Sequence, residues 1–180
     1  MRKLALLLIV QSAVVATPAL AQSERPKFFK TPQAVVAWLY RDHGTPALQS
    51  MDGDYAAFEG ASKPIVDQPK SVLARYFTPK LVDLMLADRR MAARGAHMTI
   101  LSGSDFLTQS QDFLKSETIR FDRLPKSTTV RVTFLTSDLK VVQTIDWHTA
   151  KVGRGYLISD MTNRDWTLVK NLTSQKNRGY

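Results

Sequence analysis

The hydrophobic period changes once along this chain, and that change limits its fold more than any other feature. Over residues 31–43 and 71–94 apolar side chains recur at helical spacing; between 128 and 161 they alternate. Helices that come first and an antiparallel meander that follows predict an α+β domain, with the helices packed on one face of a curved antiparallel sheet.

Local signals sharpen the elements. Thr31-Pro32 is a helix start, a hydroxyl N-cap followed by proline at the first helical position. That helix carries Val35, Val36, Trp38, Leu39 and Tyr40 and ends near Gly44. Residues 44–69 hold Gly44, Pro46, Gly53, Gly60 and Pro64 and few branched apolar residues, so a long loop is expected. A second helix begins near Ser71 and includes Val72, Leu73 and Tyr76. Thr78-Pro79 repeats the start signal, Leu81, Val82, Leu84, Met85 and Leu86 form an apolar face, and Gly95 is a stop. Asp83, Arg89, Arg90 and Arg94 are expected to face water.

Strand character appears over Thr128–Thr136, with Val130, Val132 and Phe134 on one face. In Lys140–Thr149, Val141, Ile145 and Trp147 oppose Thr144, Asp146 and His148. Gly153-Arg154-Gly155 turns into a strand over Tyr156–Met161, and Trp166–Leu172 reads as a last strand or short helix.

The N-terminus gives an address. Met1-Arg2-Lys3 is a basic start, Leu4–Val10 is apolar, and Pro18-Ala19-Leu20-Ala21 has the small-x-small pattern of a signal-peptidase site. The expectation is a cleaved signal over 1–21, a flexible leader over 22–30, one domain over 31–172 and a tail over 173–180. The mature chain of 159 residues is enough for one core. Without cysteine there is no lipobox and no disulfide, so a soluble periplasmic protein that is not a lipoprotein is expected. Arg2 and Lys3 leave with the signal and take the formal charge from +9 to +7. A weak association with anionic surfaces follows from that charge. Nucleic acid is not an expected partner, because the cations are scattered rather than interleaved with aromatics.

Five segments resemble domain-of-unknown-function family 3828, a family of small exported bacterial proteins. They are Trp38-Leu39-Tyr40, Tyr76-Phe77-Thr78-Pro79-Lys80-Leu81, the run Asp105–Asp112, the run Tyr156–Met161, and Leu168. The resemblance extends over about residues 31–172. It implies a nuclear-transport-factor-2-like or cystatin-like fold with a cone-shaped pocket, the default place for a ligand. Arg75 and Tyr76 are expected at such a pocket from the helix side, and homodimers through the open sheet face are common in such folds.

Signals for catalysis are sparse. No nucleophile elbow and no Walker loop occurs, and no cofactor is implied. His43, His97 and His148 lack the spacing of a helical zinc pair, so no metal site is expected. Asp146 and His148, two apart on one strand, share a face where a carboxylate orients an imidazole; Asp160 across the turn joins them in an acid–base alternative. That alternative is a small hydrolase or isomerase. The segment Asp105–Asp112, with Thr108, Gln109 and Gln111, offers oxygen and amide groups for a pocket mouth or simply a capped turn. Arg75, Tyr76, Asp105, Gln109, Asp112 and Asp160 are therefore the candidate binding residues. The preferred reading is a non-catalytic envelope protein that binds a small ligand or a protein partner, in the manner of an immunity protein or inhibitor.

Overall fold

The computed structural model describes residues 26–44, 64–95, 100–101, 106–109, 118–135, 141–164 and 166–177. The expected signal peptide, Asp105, Asp112 and His97 lie outside the described residues, as does most of the 44–69 loop.

The fold is α+β. Among the described residues there are four α-helices: α1 (Pro32–His43), α2 (Lys70–Tyr76), α3 (Pro79–Ala93) and α4 (Leu168–Asn177). Five strands form one antiparallel sheet in sequential order: β1 (Arg120–Arg123), β2 (Thr129–Leu135), β3 (Val142–Val152), β4 (Gly155–Asn163) and β5 (Trp166–Thr167).

The start signals act unequally. Thr31 caps α1, its hydroxyl accepting from Ala34 N at 3.1 Å. Thr78 makes no such side-chain bond; Pro79 alone fixes the first turn of α3. The second helix starts at Lys70 behind Pro69, one residue before Ser71.

Alternation places the core. Val130, Val132 and Phe134 of β2 and Ile145 and Trp147 of β3 are buried under Val35, Leu39, Leu73, Leu81 and Met85 from the helices. The core also holds an aromatic chain with a polar link: Trp147 Nε1 donates to Tyr40 Oη at 3.2 Å, and Tyr40 Oη donates to Leu107 O at 2.5 Å. Each buried polar end thus finds a partner.

Strict alternation fails in β4. His148 pairs with Asp160 and Thr149 with Ile158, so Ser159 is an extra residue and the pairing shifts there. The bulge lets Ile158 and Met161, three apart, both enter the core.

Several expectations are corrected. Residues 26–30 are not a loose leader: Phe29 is only 5% exposed, stacks on Tyr76 at 5.8 Å, and accepts from Tyr156 N at 2.9 Å. This short strap satisfies a donor on the outer edge of β4, and Thr78 N satisfies Ile158 O there at 2.8 Å. Residues 173–177 are not tail but the end of α4, held by buried Leu168 and Leu172. The end of the expected loop contains a 3-10 turn, Ile65–Asp67, whose Ile65 and Val66 join the core. Arg89 does not simply face water; it donates to Gln68 O at 2.9 Å and fastens that turn to α3. Strand β1 was not anticipated. Trp166–Leu172 is both things, two residues of strand and then a helix.

Candidate functional site

One face of the sheet, opposite the buried Ile145 and Trp147, carries the residues of the acid–base alternative. Asp146 and His148 do share this face, with Arg131 opposite Asp146 and Thr129 opposite His148. The hydrogen bond expected between them is replaced by other partners. Both carboxylate oxygens of Asp146 accept from Arg131, from Nε and Nη2, each at 2.8 Å. Such a bidentate fork engages both carboxylate oxygens. The same bond and charge raise the Arg131 guanidinium above its ordinary value, so the arginine stays protonated and the two side chains form a net-neutral ion pair.

His148 lies between two threonines. Its Nδ1 is 3.0 Å from Thr129 Oγ1 and its Nε2 is 3.1 Å from Thr162 Oγ1. A neutral ring protonated at Nε2 satisfies both contacts, with Thr129 donating and Thr162 accepting. Asp160 is opposite His148 in register, but its Oδ1 accepts from Met161 N at 2.8 Å and from Val169 N at 2.9 Å. Val169 is in the first turn of α4, so Asp160 acts as a helix cap supplied from a neighbouring strand. Register thus brings the three residues together, and their hydrogen bonds direct each to a structural task.

The Asp105–Asp112 segment is described only at residues 106–109. Phe106, Leu107 and Thr108 are buried, and Gln109, at φ 51, folds back to donate from Nε2 to Phe106 O at 3.1 Å. This is a self-capped turn.

Concavity is found elsewhere. A groove of about 640 Å³ lies between the strap and the rest of the fold. Pro26, Lys27, Phe28 and Phe29 form one wall. Ala74 and Arg75 of α2 form another, and Val152, Gly155, Tyr156 and Leu157 of the β3–β4 hairpin form the third. Its volume is within the range of about 300–1,000 Å³ common for small-ligand sites.

The groove follows from local structure. A two-residue turn, Gly153-Arg154, with Gly153 at φ 56, sends β4 back beside the strap. Gly155 then admits the strap: a Cβ there would stand 3.1 Å from Phe29 O and 3.3 Å from Phe29 N. Of the candidate binding residues, Arg75 lines this groove. Tyr76 does not; it is fully buried, with its ring behind Phe29 and its hydroxyl donating to Asp42. Tyr76 therefore supports the wall from inside. The strap residues were missed by sequence reasoning, although the adjacent pair Phe28-Phe29 in a polar stretch was an available signal.

Among the described residues no group of three or more His, Cys, Asp or Glu side chains is placed to hold a metal, and no helix is long and apolar enough to cross a membrane.

No family model matches the chain, and no curated protein matches it. A solved protein of unknown function from Bacteroides thetaiotaomicron is similar over 73% of this chain and 88% of its own, with 14% identity and a TM-score of 0.44.

Proposed function

We propose that this protein is a non-catalytic binding protein of the cell envelope that holds a small ligand in the groove between the strap, α2 and the β3–β4 hairpin. One observation carries the proposal: the groove combines ligand-sized volume with exposed apolar walls. Large exposed apolar side chains are costly to leave in water unless something covers them. The acid–base residues Asp146, His148 and Asp160 line none of it, and their polar atoms bind within the sheet and to α4. The export signal over residues 1–21 and the resemblance to domain-of-unknown-function family 3828 support a periplasmic address.

Native mass spectrometry tests the proposal on protein purified gently from the periplasm of its own host. The expected result is a discrete added mass of small-molecule size. A bare monomer or dimer, or a stable complex with an envelope protein that leaves the groove residues unprotected, refutes the groove as the binding site.

A further inference from the structure

We infer that the groove takes a single-headed anionic amphiphile, a carboxylate or phosphate carried on one apolar chain. This rests on the groove being a ligand site, as proposed above, and adds the chemistry of the occupant.

The apolar half of the argument is exposure. Among the described residues four large hydrophobic side chains are exposed, and two of them, Phe28 at 44% and Val152 at 43%, are on opposite walls of this groove. Ala74 and Leu157 continue the apolar surface between them. A hydrocarbon chain laid there covers area that folding has left in water.

The second half is charge. Lys27 and Arg75 are the charged side chains among the lining residues, and no carboxylate lines the groove. Neither has an ion-pair partner among the described residues, in contrast to Lys70 with Asp83 and Arg131 with Asp146. The Lys27 ammonium is 5.9 Å from the centroid of the Phe28 ring, so cation and apolar wall adjoin. Arg75 is in the last turn of α2 and offers a planar fork suited to two oxygens of one head group. An anionic head meets two cations, whereas a cationic head meets only repulsion. A neutral head uses the apolar surface and leaves the cations unused.

Calorimetric titration of the chain beginning at Gln22 tests this, with dodecanoate, dodecyl phosphate, dodecanol and dodecyltrimethylammonium as probes below their micelle concentrations. Both anions are expected to bind about tenfold or more tighter than dodecanol, the worth of one charge-assisted contact. The ammonium probe is expected not to bind, and added salt should weaken the anions more than the alcohol. The ratio of dodecanoate to dodecyl phosphate assigns the head to a fatty carboxylate or a phosphate. The double variant Lys27→Gln/Arg75→Gln, both exposed positions, should bring the anions down to the level of dodecanol with an unchanged Tm. Equal binding of anion and alcohol, or an anion preference that survives the double variant, overturns the inference and leaves the groove reading standing. Failure of all four probes overturns it as well; if the native spectrum is then also bare, the groove reading falls with it.

Discussion

Phe29→Ala separates a strap that belongs to the fold from a leader that does not. Phe29 is 5% exposed, stacks on the fully buried Tyr76, and gives its carbonyl to Tyr156 N at the edge of β4. Truncating a buried phenylalanine costs about 3–5 kcal/mol in transfer and cavity terms together. The lower end applies, because a segment near the chain end relaxes into part of the space it vacates. About 3 kcal/mol in a domain of this size lowers Tm by roughly 6–12 °C. The assay is a pair of thermal melts on chains beginning at Gln22, with a urea titration to confirm that the m-value is preserved. A loose leader gives a shift within about 2 °C, since surface changes away from packed features stay within about 0.5 kcal/mol. A result in that range refutes the docked strap and removes one wall of the groove with it.

Three further outcomes follow from the hydrogen bonds. Tyr40→Phe leaves Leu107 O and Trp147 Nε1 without their shared hydroxyl, and should cost about 1–3 kcal/mol in chemical denaturation; a neutral result contradicts the buried network. Asp160→Ala removes the cap from α4 and should cost about 1 kcal/mol, with amide exchange accelerated at Val169 ahead of the strands; unchanged exchange there contradicts the cap. Arg131→Met breaks a fork whose arginine side chain is 45% exposed, so about 1 kcal/mol or less is expected, and the difference from wild type should shrink in high salt. A salt-independent loss of several kcal/mol would show that the pair is buried by something that covers the sheet.

The elements whose residues speak for themselves were legible. Thr31-Pro32 announced α1, and the alternation of Val130, Val132 and Phe134 announced β2. Strand β1 was not, because Arg-Phe-Asp-Arg offers a single apolar residue, and Phe121 is only half-buried, packed against the core with an edge contact to Tyr40 at 5.4 Å. In β4 the bulge at Ser159 breaks the period that a sequence reading relies on. The polar face was legible as a face: Asp146, His148 and Asp160 do come together. Their partners were not, since Arg131, Thr129 and Val169 are set by cross-strand register and by the return of α4. The groove was the least legible feature. Its walls come from residues 26–29, 74–75 and 152–157, and no local pattern joins segments so far apart in the chain. Arg75 was anticipated there only through the fold that the family resemblance implies.

Ala74→Trp, compared with wild type by native mass spectrometry from the host periplasm, tests the central claim most directly. Ala74 is exposed on the α2 wall, so an indole placed there fills the groove without disturbing the core. The account predicts a small-molecule adduct on the wild-type protein and none on the variant, with equal Tm for the two ligand-free chains. An adduct retained in full by the variant, or absent from both proteins, contradicts it.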